Sequence, residues 1–340
     1  MNAVTGATGH IGNVLVRKLL AEGKTVRAIV PPGEDTHPLD GLDIEIVRGD
    51  LRDVDSLLSA FRGIEVIYHL AGIISILPGR RELLHQVNVE GTQNVVQACF
   101  KSAVSRMVYT SSIHAIKEPP HGTVITETQP FDPHSVLGDY AKSKANATLA
   151  VIDGIRKGLN AVIVCPTGVI GPYDYRISEM GHLIQDFLRR KIKACVDGAY
   201  DFVDVRDVAQ GLMLAGEKGG TGESYILSGE QISVKGLFSL LETITGINAP
   251  KFQISCKLAR IAGIIATPYY KLCKSKPLFT SYSIDVLASN SLVSSAKAKR
   301  ELGYFTRSIR ESLADSVSWF RDQTSRQYEI ERMRNSLIPT

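Results

Sequence analysis

The sequence holds little cysteine, little surplus charge and no long apolar run. Its five cysteines (Cys99, Cys165, Cys195, Cys256 and Cys273) are odd in number, widely spaced and form no Cys-x-x-Cys pair. That argues against a disulfide framework or a cysteine zinc site and fits a reducing compartment. Basic residues number 39 against 35 acidic, a net charge of only +4. The short clusters Arg189-Arg190-Lys191 and Lys297-Ala298-Lys299-Arg300 read as solvated helix faces, so no nucleic-acid partner is expected. The most apolar late stretch, Ile261 to Thr267, follows Arg260 and falls far short of the ~20 residues a spanning helix needs, so no membrane partner is expected. The first motif leaves no room before it for a signal peptide, and the expected location is cytoplasmic. The histidines His114, His121 and His134 show no ligand spacing, so no metal is expected. Internal repeats and low-complexity segments are missing too.

What is present is an alternation of short apolar runs and helical patterns in 340 residues of ordinary globular composition, 44% apolar and 22% charged. Strands are predicted at Asn2–Thr5, Val26–Val30, Ile44–Val47, Glu65–Leu70, Arg106–Ser111 and Ala161–Cys165. Helices are predicted at Ile11–Ala21, Asp53–Phe61, about Glu82–Lys101 and Tyr140–Ile155. This order implies an α/β fold, a doubly wound parallel sheet covered on both faces, in the order 3-2-1-4-5-6. The ligand crevice then lies at the carboxyl ends of the strands. The second half is less regular, with helices at Val205–Leu214, Val234–Thr245 and Leu313–Gln323 and a strand at Glu223–Leu227. The expected division is a dinucleotide-binding domain over 1–171, with 201–227 returning to it. A smaller C-terminal substrate-binding lobe takes 172–200 and 228–320, and a charged helical tail takes 321–340.

The chain opens with Thr5-Gly6-Ala7-Thr8-Gly9-His10-Ile11-Gly12. A pyrophosphate needs backbone N–H groups aimed at it with no side chain in the way, and a helix N-terminus supplies them. Gly6 permits the tight turn, Gly9 the close approach and Gly12 the packing of helix on strand, with Thr8, His10 and Ile11 lining the same loop. A shorter echo, Thr167-Gly168-Val169-Ile170-Gly171, lacks the third glycine and has no long helix directly after it. By itself the pattern is weak; strand, loop and helix in that order make the first copy the cofactor site. The end of the second strand separates NAD from NADP, since an acid there accepts the ribose 2′-hydroxyl. Val26-Arg27-Ala28-Ile29-Val30-Pro31 offers no acid, and Arg27 tips the expectation to NADP. Asp50 and Leu51 after the third strand are placed at the adenine. Leu70, Ala71 and Gly72 after the fourth let the backbone pass beside the adenosine.

A second constellation joins the first: Ser112 at the end of the fifth strand, then Tyr140 and Lys144 four residues apart on one helix face. A tyrosine has a pKa near ~10, and exchanging a proton at neutral pH requires lowering it by about three units, roughly 4 kcal/mol. A nearby ammonium and a positive nicotinamide ring act in that direction. Ser112 is placed to hydrogen-bond a substrate oxygen that takes its proton from Tyr140. Tyr-x-x-x-Lys recurs at Tyr270 and Lys274, without a strand-end serine before it, so position separates the two.

With these pieces the chain resembles the extended short-chain dehydrogenase/reductases over roughly residues 2–320. The likeness rests on Thr5–Gly12, Gly49-Asp50-Leu51, His69–Gly72, Asn88-Val89-Glu90-Gly91-Thr92, Tyr109–Ser112, Tyr140…Lys144, Pro166–Pro172 and Asp204–Ala209. The resemblance implies Ser112, Tyr140 and Lys144 as the catalytic set, Pro166 and Val169 beside the nicotinamide amide, and Asn88 near the cofactor crevice. Within that group the chain looks most like the dihydroflavonol-reductase-like and 3β-hydroxysteroid-dehydrogenase-like members. Those reductases usually carry a further Arg where this chain has Pro31. The implied activity is NAD(P)-dependent hydride transfer to or from a ketone or secondary alcohol of a small, fairly apolar molecule. A nucleotide-sugar epimerase or dehydratase is the competing reading; such enzymes tend to have Asn where Cys165 stands and Arg where Tyr200 stands. A non-catalytic cofactor sensor ranks third, because the triad is intact. By analogy, a homodimer pairing through 82–101 and 140–155 is expected.

Overall fold

The computed structural model describes residues 1–75, 79–258, 286–287 and 289–336, with side chains described up to 325. Most of the apolar stretches Leu258–Tyr270 and Leu278–Leu287, and the second Tyr270…Lys274 pair, fall on 259–285, outside the described residues. The strands, in chain order, are β1 (Asn2–Thr5), β2 (Val26–Val30), β3 (Glu45–Arg48), β4 (Val66–His69), β5 (Arg106–Thr110), β6 (Ala161–Pro166), β7 (Gly168–Ile170), β8 (Ala194–Val196), β9 (Ala199–Asp204), β10 (Ser224–Leu227), β11 (Glu230–Ser233) and β12 (Phe252–Ile254).

Seven strands form one sheet in the order β10-β6-β5-β4-β1-β2-β3, and every pair is parallel. This is the doubly wound order read from the sequence, extended by β10 at the β6 edge. Alternate strand residues supply two cores, as a period of two requires. Val4, Ala28, Val30, Tyr68, Val108 and Val164 face the helices His10–Ala21 and Val205–Lys218. Ala3, Ile29, Ile67, Met107, Ile163 and Cys165 face the helices near 54–60, 91–101 and 138–156. Residues buried on both sides explain why these strands read as continuous apolar runs.

The long helix expected at 82–101 spans 81–101 but widens into a π turn over His85–Glu90. Asn88 sits in that turn. Such bulges turn a side chain out of helical register, often at working sites.

The remaining chain builds small sheets, β11-β9-β7 and β12-β8. They pack with the helices Glu179–Leu188, Val234–Thr245 and Ile309–Ser336 around Ile184, Phe187, Leu237, Leu241, Val317 and Phe320. Helix Glu179–Leu188 was not expected, although Ser178 caps it by accepting from the Gly181 N–H. Among the described residues no helix is long and apolar enough to cross a membrane.

Candidate active site

The glycine loop leaves β1 and enters helix His10–Ala21. Gly6 has φ +71, the left-handed region. A Cβ on Gly6 would stand 2.8 Å from the Ala71 backbone, and one on Gly12 would stand 2.0 Å from the Gly6 carbonyl oxygen. The loop is therefore pressed between its own helix and the exit of β4. Gly9 caps the helix without a side-chain bond, and the first turn carries no acid. Backbone N–H groups there stay open to an anion, which fits a dinucleotide pyrophosphate. His10 and Asn13 tie this helix to the neighbouring segment: His10 Nε2 lies 2.9 Å from the Pro172 carbonyl, and Asn13 donates to the Tyr173 carbonyl at 3.1 Å.

Leu70, Ala71 and Gly72 follow β4 beneath the loop. Asn88 anchors this turn. Its side-chain oxygen accepts from the Ile73 N–H at 2.8 Å, and its amide donates to the Ser143 hydroxyl at 2.9 Å. Ser143 in turn donates to the Tyr140 carbonyl. The widened turn thus fixes the first turn of the helix that carries Tyr140. The Asp50 carboxylate is gripped by Arg52, which holds its pKa below the usual carboxylate range against a smaller burial effect. Leu51 is buried and Gly91 packs on it.

Ser112 lies two residues beyond the end of β5 and is buried. Its oxygen accepts from the His114 N–H at 3.2 Å, and its hydroxyl is near enough to the Tyr140 phenol to favour the ionised form. Burial pushes that phenol up to about 12. Lys144 lies one turn further along the helix. Its Nζ donates to the Thr110 carbonyl at 2.6 Å and stands 4.7 Å from the centre of the Tyr109 ring. Burial brings its ammonium down to about 8. Ser112 opposes that burial effect on the phenol, while the Lys144 ammonium is held at the strand end by Thr110.

Next to Ile113 and Ala141, the chain neighbours of Ser112 and Tyr140, opens a cavity whose apolar lining includes Ile116, Ile125, Val136 and Val293, and whose polar lining includes His114, Tyr200, Asp201, Glu118, Thr167 and a run of Ser289, Asn290 and Ser291. The Tyr200 hydroxyl lies 2.7 Å from His114 Nε2. Burial holds His114 down to about 4, a neutral imidazole at ordinary pH. Sequence reasoning gave three loop histidines equal standing; His114 lines the cavity, whereas His121 and His134 are exposed. Thr167 and Asp201 were missed. Their hydrogen bond of 2.6 Å joins residues 34 positions apart, and no local spacing signals it.

One expectation is corrected. Arg27 is the second residue of β2, at the end remote from the crevice. It pairs with Glu45 at 2.7 Å and donates to the carbonyls of Ala60 and Arg62. The register sets Arg27 beside Glu45, so the guanidinium is spent inside the domain and cannot reach a ribose at the carboxyl end. The second glycine motif also resolves. Gly168-Val169-Ile170 is strand β7 beside β9, and a Cβ on Gly168 would meet the Tyr200 ring at 2.6 Å. Its glycine admits aromatic rings. Pro166 ends β6, buried, with Val169 just beyond it.

The sequence profile of the NAD dependent epimerase/dehydratase family matches residues 3–228. The chain belongs to this family. It is an NAD(P)-dependent oxidoreductase of the extended short-chain dehydrogenase/reductase type. "Sterol demethylase protein B" of Methylococcus capsulatus is 39% identical over 324 residues, covering 94% of this chain and 98% of that protein. The "3-beta-hydroxysteroid dehydrogenase" of Mycolicibacterium neoaurum is 28% identical, covering 94% of this chain and 91% of that protein. The crystal structure of gox2253 superposes with TM-score 0.85 at 33% identity, covering 95% of this chain and 98% of that one.

His69 supports the oxidoreductase site from below and carries a prediction. It is fully buried between Thr5 and Thr92, with ring nitrogens 2.8 and 3.0 Å from their hydroxyls. Thr92 donates its own proton to the Asn88 carbonyl, so it accepts from Nε2, and Nδ1 accepts from Thr5. That network suits the neutral ring. Burial, and then the Lys144 charge, lower its pKa to about 3. The unfolded ring binds a proton below about 6.5, and the folded one does not until far lower. Stability is therefore present at neutral pH and lost as pH falls. We expect His69 to contribute a loss of about 2 kcal/mol between pH 7 and pH 5. Urea titrations of wild type and His69→Gln at both pH values check this. Equal pH slopes for the two proteins would refute it.

Proposed function

We propose that this oxidoreductase acts on the secondary alcohol or ketone of an uncharged, largely apolar ring system of the hydroxysteroid class, with Ser112, Tyr140 and Lys144 as its working groups. The observation that carries the reading is the cavity lined by Ile113 and Ala141, the chain neighbours of Ser112 and Tyr140. Its described lining is about half aliphatic, includes no Lys or Arg, and has two acids, Glu118 and Asp201, among its polar residues. Such a surface attracts apolar area and repels a diphosphate. The sterol and hydroxysteroid names of two relatives agree with it.

The bound nicotinamide supplies or takes the hydride. The residues do the rest. Ser112 offers its hydroxyl to the substrate oxygen. Tyr140, protonated across the neutral range, gives its proton to a ketone oxygen or, once ionised, takes one from an alcohol. Lys144, held on Thr110, presents a positive charge at the crevice floor and is placed for the ribose hydroxyls. The cradle Gly6–Gly12, with Thr8, His10 and Ile11, holds the pyrophosphate. Asp50, Leu51, Leu70, Ala71 and Gly72 flank the adenosine, while Pro166 and Val169 stand by the nicotinamide amide. With Arg27 committed elsewhere, the NADP expectation loses the residue it rested on.

The test is a substrate panel with both cofactors. We expect cofactor-coupled turnover of 3β-hydroxysteroids or their ketones and none of UDP-sugars. UDP-sugar interconversion with no net change in cofactor would establish the epimerase reading instead. Tight cofactor binding without turnover on any alcohol or carbonyl would establish the sensor.

A further inference from the structure

We propose that Glu34, held in place by Thr8 and Arg176, reads the 2′ position of the adenosine ribose and makes the enzyme prefer NAD. The inference rests on the cofactor reading of the glycine loop. It is independent of the substrate class, because its test contains no alcohol or ketone.

The argument starts from the missing acid. Strand β2 ends at Val30 and Pro31-Pro32-Gly33 follows, so the strand end has no carboxylate for a ribose hydroxyl. The chain then reverses. Gly33 takes φ +75, and the Glu34 N–H donates to the Pro31 carbonyl at 3.2 Å. This turn brings Glu34 back over the glycine loop, where its Oε1 accepts from the Thr8 hydroxyl. Arg176 pairs with the same oxygen and also donates to Thr8 at 3.0 Å. Arg48, the last residue of β3, fastens the turn from outside by donating to the carbonyls of Pro31 and Glu34 at 3.1 and 3.0 Å. The Glu34 side chain is 21% exposed, so it is both ordered and reachable.

Both contacts use Oε1, and Oε2 has no partner among the described residues. An ionised carboxylate only accepts hydrogen bonds. Beside Thr8 of a dinucleotide cradle, it is placed to accept a ribose 2′-hydroxyl, the task otherwise given to an acid at the strand end. A 2′-phosphate offers no proton there and carries up to two negative charges. It meets a carboxylate already fixed by two donors. Arg176 thus acts as a positioning residue. It comes from the segment after β7, so the reader is assembled from two distant stretches of chain.

Calorimetric titration of the full chain with NAD+ and NADP+ tests this. We expect wild type to bind NAD+ at least about tenfold tighter than NADP+. Glu34→Gln should narrow that ratio to within about threefold, mainly by weakening NAD+, as for loss of a charge-assisted hydrogen bond. Arg176→Gln should narrow it less. NADP+ binding tighter than NAD+ in wild type, with Arg48→Gln abolishing that preference, would overturn the proposal and give the site to Arg48. Equal weakening of both cofactors by Glu34→Gln, with the ratio kept, would reduce Glu34 to a loop support and overturn it as well. Should Glu34→Gln fail to fold, competition by 5′-AMP against 2′,5′-ADP on wild type decides. The proposal requires 5′-AMP to bind tighter.

Discussion

Tyr140→Phe is expected to lose about a thousandfold in kcat, within the range of a positioned proton-transfer group, while keeping cofactor affinity within about threefold. The substitution removes one oxygen and leaves the ring in place. Ser112 keeps its contact with the His114 N–H at 3.2 Å, so the strand end is not disturbed. What disappears is the group proposed to move the proton to or from the substrate oxygen. The pH dependence follows from the environment of the phenol. Burial pushes it up to about 12, so it carries its proton throughout the neutral range. Ketone reduction, which uses the protonated form, should vary little between pH 6 and pH 8. Alcohol oxidation, which uses the ionised form, should rise with pH over the same interval. Steady-state kinetics in both directions, with the cofactor titrated separately, check the set. A Tyr140→Phe variant retaining more than about a tenth of wild-type kcat would remove Tyr140 from the chemistry.

Gly12→Ala is expected to be among the most disruptive single-methyl additions at the described glycines. The new Cβ would lie 2.0 Å from the Gly6 carbonyl oxygen and 2.9 Å from the Ala7 Cα. Both neighbours are backbone, so no side chain can swing aside. The first turn of helix His10–Ala21 must lift from the loop, and that helix packs on the core through Val14, Leu15 and Leu19. Overpacking a rigid contact costs about 1–3 kcal/mol and more where backbone must move. We expect a loss of at least about 3 kcal/mol together with a fall in cofactor affinity of more than about tenfold, since the displaced N–H groups are those that face the pyrophosphate. Gly23→Ala is the control. Gly23 has φ +70 with nothing within 4 Å of the added atom, so only the left-handed strain of about 1 kcal/mol applies. Thermal melts and cofactor titrations of both variants measure the contrast. Equal melting temperatures would show that the loop is looser than its packing implies.

Tyr140 and Lys144 were legible because four residues on a helix share a face. Gly6, Gly9 and Gly12 were legible because a tight turn into a helix has a local glycine signature. The doubly wound order was legible because alternating elements leave few chiral solutions. The failure has a different cause. Arg27 was read from its strand alone, but its fate depends on which end of β2 it occupies and on Glu45 in the neighbouring register. Thr167-Gly168-Val169-Ile170-Gly171, set aside for its missing third glycine and helix, is indeed a strand partner of β9.

By itself the sequence determined the parallel sheet, which follows from periodicity, and, through motifs shared with a known family, the reaction class and the residues proposed for the chemistry. Only the tertiary structure decided which acid faces the glycine loop, where the Arg27 guanidinium is spent, and which side chains line the cavity. Those outcomes join residues such as Thr8 and Arg176, 168 positions apart, or Asn88 and Ser143, 55 apart. Such contacts depend on how the layers stack, and stacking is a property of the whole packed chain that no local pattern encodes.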